Sequence, residues 1–302
     1  MKLVKILPLF AMLLFWGCGN EKNSSTASPL AVSGLPPVAW IAQEIGGRHI
    51  TSVSLLPEGR SPHDYTPGPS VLRRASAAKF FFSCGMPFEK SAEKTLRCDI
   101  VDVTKNISRI MFDASGEAHD HASCSHSHTD GSSCSADGSD PHVWLSCSNA
   151  CTIAENITSA FSGAFPEHKA DFEKNLAAFK ARFEVLKKET SEKLSAYAGR
   201  SFFVYHPAFG YFAKEFGLKQ QSIELGGREV SAARLADVIK KAKAENVKVI
   251  FTQKEFNPRN SMVLAKETGG RCVGMDALAF DIEKNIRTMT DAIISGFGGS
   301  KK

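Results

Sequence analysis

The chain has no lysine or arginine between Arg109 and Lys169. It has no apolar run of the roughly 20 residues that a membrane-spanning helix needs. Its longest such run, Ile6 to Trp16, is about eleven residues. There is no His-Glu-x-x-His zinc-peptidase signature and no Gly-rich phosphate cradle. Gly226-Gly227 follows a strand-like segment but lacks the spacing and the lysine of such a loop. These absences argue against a membrane-spanning bundle, that class of zinc hydrolase and a P-loop nucleotide binder. A formal charge of +5, from 37 basic against 32 acidic residues, is too dilute for a nucleic-acid footprint.

The base-free window is where the chemistry gathers. It holds six of the nine histidines and four of the eight cysteines. The full length of 302 residues suggests two domains and can bury a core without disulfide staples.

The first residues read as a targeting segment. Lys2 and Lys5 precede the apolar run, and Gly17-Cys18-Gly19-Asn20 follows it. A small residue before Cys18 resembles the lipobox of bacterial lipoproteins, which implies acylation of Cys18 and a mature chain starting there. Phe15 and Trp16 depart from the usual residues before such a site, and an ordinary cleaved signal is the alternative. Residues 1–17 are thus expected to be the signal peptide and 18–29 a flexible Ser-rich tether. Export tolerates disulfides. Seven cysteines remain after Cys18, an odd number, so at least one is free, ligating or paired between chains.

Beyond the tether, short strands alternate with helices. Leu30 to Ser33, His49 to Leu56, Lys79 to Cys84 and Asp99 to Val103 read as strands, with helices from Pro36 to Ile45, Ser70 to Ala78 and Phe88 to Thr95. The apolar run Lys79-Phe80-Phe81-Phe82-Ser83-Cys84 fits a parallel strand buried on both faces. A second series begins at Ser201 and includes strands at Gln221 to Leu225, Val247 to Gln253 and Arg271 to Met275. Between the series, Phe172, Leu176, Phe179, Phe183, Leu186, Thr190 and Leu194 recur at helical spacing within Glu167 to Ala198. A helix of those 32 residues would span about 48 Å. The expected fold is α/β: two parallel-sheet lobes, residues 30–166 and 199–302, joined by one long rigid helix at 167–198. From Asp113 to Asp140 no periodicity is present.

Outside that polar stretch, histidine occurs at 49, 63, 142, 168 and 206. His63 follows a strand, His142 precedes a helix, and His206 ends the strand Ser201 to His206. Asp276 follows the strand ending at Met275. Ligands of parallel sheets bind beyond the strands' carboxyl ends. Three imidazoles and one carboxylate meeting there would form a four-coordinate site suited to Zn²⁺. Each residue alone also fits a plain structural role, and Asp276 alone reads more readily as a helix cap. Glu255 and Asp64 could replace Asp276 or orient a ligand histidine. His49 and His168 read as surface residues.

The segments Pro62-His63-Asp64-Tyr65, Asp140-Pro141-His142-Val143-Trp144-Leu145 and His206-Pro207-Ala208-Phe209-Gly210 together resemble the signatures of the ZnuA/TroA-like solute-binding proteins of bacterial metal importers. Arg228-Glu229-Val230-Ser231 and Met275-Asp276-Ala277-Leu278 resemble later segments of that family. The resemblance implies two lobes bridged by a rigid helix, with His63, His142 and His206 as ligands. It implies Asp276, Glu or water as the fourth. Histidine at 206, where manganese-type members carry glutamate, points to zinc. Cys147, Val230 and Lys79 depart from the family pattern without touching these ligands. The resemblance implies a lipid-anchored monomer on the periplasmic or extracellular side, which passes Zn²⁺ to an ABC permease and catalyses no reaction. A Mn²⁺ or Fe²⁺ receptor, a surface adhesin and a zinc hydrolase are the competing readings.

The polar stretch 113–140 carries His119, His121, His126 and His128 among acidic residues, a composition that binds divalent metal near neutral pH. It reads as an auxiliary metal loop, or as an inert insertion. Cys124 and Cys134 could add thiolates or close a disulfide. Cys147 and Cys151, four apart on a helix, suit packing or a shared metal better than a disulfide. Binding through neutral imidazoles is expected to weaken as pH drops through about 6.5.

Overall fold

The computed structural model describes residues 28–112, 118–120, 139–224 and 230–298. Four parallel strands form the first sheet: β1 (Leu30–Ser33), β2 (Thr51–Ser54), β3 (Phe80–Ser83) and β4 (Asp99–Asp102), in the order β2-β1-β3-β4. Helices α1 (Pro36–Gly46), α2 (Pro69–Ala75) and α3 (Pro87–Glu93) supply the crossovers, each opening on a proline whose missing N–H costs nothing in a first turn. All four residues of β3 are buried, as a central parallel strand requires.

The stretch without periodicity holds a strand. β5 (Ile110–Phe112) pairs antiparallel with β6 (Ala118–Asp120), placing His119 opposite Met111 in the ladder. A bridge from Met111 to Ser139 continues the pairing. His121, His126, His128, Cys124, Cys134, Cys18, Arg228 and Glu229 lie outside the described residues.

Helix α4 (Cys147–Ala164) closes the first lobe, and α5 (Lys169–Leu194) is the connector. The connector is 26 residues of α-helix flanked by the 3₁₀ turns Pro166–His168 and Ser195–Tyr197. The helical run is thus continuous from Pro166 to Tyr197, as long as the repeat implied, with the chain tightening at both ends. At 1.5 Å per residue α5 is about 39 Å long, enough to lie along both lobes. Phe172, Phe179, Phe183, Leu186, Thr190 and Leu194 form its buried face, and Leu176 is half-buried. That face packs on α1 and α4 of the first lobe and on the last helix of the second.

The second lobe repeats the plan with β7 (Ser201–Val204), α6 (Gly210–Glu215), β8 (Lys219–Ser222), α7 (Ala232–Ala244), β9 (Val249–Thr252), α8 (Arg259–Thr268), β10 (Arg271–Gly274) and α9 (Ile282–Gly296). Its parallel sheet runs β10-β9-β7-β8. Numbered within each lobe, both sheets have the order 2-1-3-4. Ser231 and Asp281 cap α7 and α9 by accepting from the N–H of Arg234 and Lys284. Gly269 ends α8 at φ 63°, a left-handed position that favours glycine.

One hydrophobic core runs from the first sheet across α5 into α9, while Phe203, Ile223, Val238, Ile250 and Leu264 form a smaller core beneath α7 and α8. Polar bonds also tie the lobes together. Arg182 on α5 reaches Glu44 of α1 at 2.5 Å and Glu283 of α9 at 3.3 Å. Glu215 of α6 accepts from the N–H groups of Cys147 and Ser148, satisfying orphan donors of α4 from the other lobe. Trp144 donates its indole N–H to the Ala277 carbonyl at 2.7 Å.

Candidate metal centre

The carboxyl ends of both sheets face one cleft, and three histidines meet there. His63 comes from the loop between β2 and α2. His142 comes from the buried segment before α4. His206 lies two residues beyond β7. One ring nitrogen from each falls in a single group whose atoms are all within 4.8 Å of one another. The Nε2 atoms of His63 and His142 are 3.3 Å apart, and those of His206 and His142 are 3.2 Å apart.

Two of the rings are held from behind. His142 Nδ1 donates to Asp140 Oδ1 at 2.7 Å, and His206 Nδ1 donates to Glu224 Oε2 at 2.5 Å. A carboxylate only accepts, so the proton sits on Nδ1 and the Nε2 lone pair faces the centre. His142, His206, Asp140 and Glu224 are each 2% exposed or less. The His206 backbone is clamped by Gln253, whose side chain accepts from the His206 N–H at 3.2 Å and donates to its carbonyl at 2.7 Å. Phe256 stacks on the His206 ring. His63 has no such anchor among the described residues. Its ring meets the His142 and His206 rings, and its backbone N–H bonds Ser61 Oγ.

The spacing has a chemical meaning. Lone pairs that face one another across 3.2–3.3 Å repel unless a proton or a cation lies between them. Nitrogen donors at about 2.05 Å from a tetrahedral Zn²⁺ sit about 3.3 Å from each other. Burial, then repulsion from His206 and His142, holds the His63 imidazole well below its ordinary pKa. Burial also lowers His206, and the Glu224 carboxylate opposes that shift. Neutral rings are the ligating form. The cavity they line has an accessible volume of about 10 Å³, on the scale of one small sphere. A larger cavity of about 370 Å³, lined by Arg200, Lys219 and Lys248, lies at the amino ends of the second sheet, away from the histidines. It gathers no comparable donor set.

Asp276 is not brought into this group. Its Oδ2 pairs with Lys254 Nζ at 3.1 Å, and its Oδ1 accepts from the Leu278 N–H at 2.8 Å. Burial works to lower the Lys254 pKa, but Asp276 and Glu58 outweigh it and raise it. Glu255 lines the cavity, and burial raises its pKa, but its carboxylate too lies outside the group of atoms within 4.8 Å of one another. Asp64 is absent from the group as well. Glu224 was missed from sequence. Its signal was a place just beyond β8, but only the sheet order shows that β8 neighbours β7.

His49 and His168, expected at the surface, stack at 3.9 Å, and His49 bonds Asp171 at 2.7 Å. The His49 side chain is only 14% exposed. Cys84, Cys98, Cys147, Cys151 and Cys272 are free thiols. Burial pushes Cys151 up to about 11 and Cys147 beyond the usual thiol range. Neither joins a metal-binding group among the described residues, which favours packing over ligation.

Comparison with known proteins agrees with this geometry. The family model described as zinc-uptake complex component A, periplasmic (ZnuA), matches residues 32–295. The zinc-binding lipoprotein AdcA of Streptococcus pneumoniae is 29% identical over 277 residues, covering 89% of this chain and 53% of its own, so this chain spans about half of that relative. A crystal structure of ZnuA superposes with a TM-score of 0.79 at 27% identity, covering 89% of this chain and 99% of the other. A zinc-bound ZnuA lacking residues 138–173 of its own chain gives 0.79 at 26% identity, over 91% and 100%. The chain therefore belongs to the ZnuA family, the zinc-type solute-binding proteins of metal ABC importers.

Proposed function

We propose that this chain captures Zn²⁺ outside the cytoplasmic membrane and delivers it to an ABC permease, with His63, His142 and His206 as the ligands. The observation that carries the reading is the trio of imidazole nitrogens, adjacent pairs of which are 3.2 and 3.3 Å apart, with two lone pairs aimed inward by buried carboxylates. Zinc is cargo here, and no chemical step is assigned. Because the connector and the bonds across the cleft weld the lobes, release on docking falls to the His63 loop, the least anchored donor.

The same reading makes Cys18 the acylated mature terminus and residues 18–29 a tether, with lobes at 30–166 and 199–302. Two or more acyl chains would hold the protein at the membrane where one would not. His119, His121, His126 and His128 serve as an auxiliary collector, and the receptor acts as a monomer. Isothermal titration of metal-free protein with Zn²⁺ tests the core of this reading. Tight binding of one ion that survives deletion of residues 116–138, and is lost in His142→Ala, is expected. Equal affinity in wild type and His142→Ala overturns it.

A further inference from the structure

Beyond the three histidines, the cleft holds two carboxylates at the carboxyl ends of neighbouring strands, and the chain treats them differently. Asp276 follows β10 and has both oxygens engaged, by Lys254 and by the Leu278 N–H. Its backbone carbonyl accepts from Asn285 at 2.8 Å, which fixes the turn. Glu255 follows β9 and lines the cavity with His63, His142 and His206. Its Oε1 is buried and has no hydrogen-bond partner among the described residues. A buried acceptor left unpaired is costly unless something comes to satisfy it.

Lys254 makes the difference. Its ammonium lies between Asp276 and Glu58, at 3.1 and 3.2 Å. Glu58 belongs to the loop that carries His63, so Lys254 bridges the two lobes at the cleft. Its neighbour in sequence, Glu255, has no ion pair with it and lines the cavity, a side-chain rotation short of the histidine group. We propose that Lys254 sets the metal selectivity of this site by withholding Asp276, so that Glu255 supplies the fourth coordinating group.

The inference rests on the three-histidine reading above and adds a selectivity rule to it. Three imidazoles and one carboxylate make a four-coordinate set, which suits Zn²⁺. Release of Asp276 would offer a second carboxylate. More oxygen donors and a higher coordination number favour Mn²⁺ relative to Zn²⁺. Lys254 also balances charge, since with the cation paired to Asp276 only one carboxylate remains for the metal.

The test compares Lys254→Met, Glu255→Gln, Asp276→Asn and the double variant Lys254→Met/Asp276→Asn. Zn²⁺ and Mn²⁺ affinities come from chelator competition, and the visible spectrum of the Co²⁺ form reports coordination number. Glu255→Gln is expected to weaken zinc binding about tenfold, and Asp276→Asn by less than about threefold. Lys254→Met should improve Mn²⁺ relative to Zn²⁺ by about tenfold or more, shift the Co²⁺ spectrum toward higher coordination, and lose both effects in the double variant. An unchanged Mn²⁺ to Zn²⁺ ratio in Lys254→Met, or a larger zinc loss from Asp276→Asn than from Glu255→Gln, overturns the inference. Either result leaves the histidine site standing, because that reading fails only if wild type and His142→Ala bind zinc alike.

Discussion

The two lobes share a strand order but carry different loads at their first strands. In the second lobe β7 leads into His206, whose ring is braced by Glu224. In the first lobe β1 leads into Gly34, and the space a side chain would need is filled by Glu89. A Cβ at Gly34 would lie 1.7 Å from Glu89 Oε1. Glu89 is fully buried, its Oε2 accepts from the N–H groups of Cys84 and Met86, and its Oε1 has no partner among the described residues. Both lobes thus bury a carboxylate at the same edge. One braces the His206 ring from behind. The other pins a turn. The first lobe supplies its histidines from loops instead, His63 without a brace and His142 with Asp140.

Breaking the metal side of this comparison should have the largest effect. His142→Ala removes the donor shared by both short contacts and should weaken zinc by more than about 100-fold, beyond the usual loss from removing a supporting residue. Titration calorimetry reads it, and the metal-free fold should remain intact by circular dichroism. Glu224→Gln keeps the ring but weakens its brace. A loss of about 10- to 100-fold in zinc affinity is expected. The same kind of change at Glu89 should leave zinc affinity unaltered.

Glu89 should speak instead through stability. Burial raises its pKa from 4.5 to about 7, against the backbone N–H bonds that lower it. The unfolded carboxyl ionises first as pH rises, so the folded state loses stability between pH 4.5 and about 7, on the order of 3 kcal/mol for a shift of that size. Denaturant melts of wild type and Glu89→Gln should converge at pH 4.5 and diverge toward pH 7, with the variant more stable. Gly34→Ala should destabilise by about 1–3 kcal/mol through overpacking against Glu89.

The smallest effect concerns acid. His63 and His206 have lowered pKa values, so their neutral form persists below the ordinary imidazole range. Zinc affinity should hold nearly flat down to about pH 6.5 and fall only below it. Metal-free stability moves the opposite way to the Glu89 contribution. As pH drops through about 6.5 the unfolded histidines take up protons that the folded rings refuse, and stability falls.

Much of this was legible in the residues. The aromatic and leucine repeat of α5 gave the connector, and the buried run at β3 gave a central strand. His63, His142 and His206 stood out because each sits where a strand has just ended or a helix is about to begin. The rest depended on neighbours that sequence distance hides. Glu224 braces His206 only because β8 pairs with β7. Asp276 is held away only because Lys254, more than twenty residues earlier, sits beside it in the next strand's loop. The hairpin of β5 and β6 was missed because each strand is only three residues, apolar throughout in Ile110–Phe112 and without alternation in Ala118–Asp120, and the 3₁₀ ends of α5 share its periodicity.

The most direct measurement is zinc K-edge X-ray absorption on the protein loaded with one equivalent of Zn²⁺. The three-histidine site predicts imidazole scattering from three nitrogens at about 2.0 Å with one further light donor and no sulfur. A sulfur shell near 2.3 Å, or fewer than three imidazoles, would contradict it.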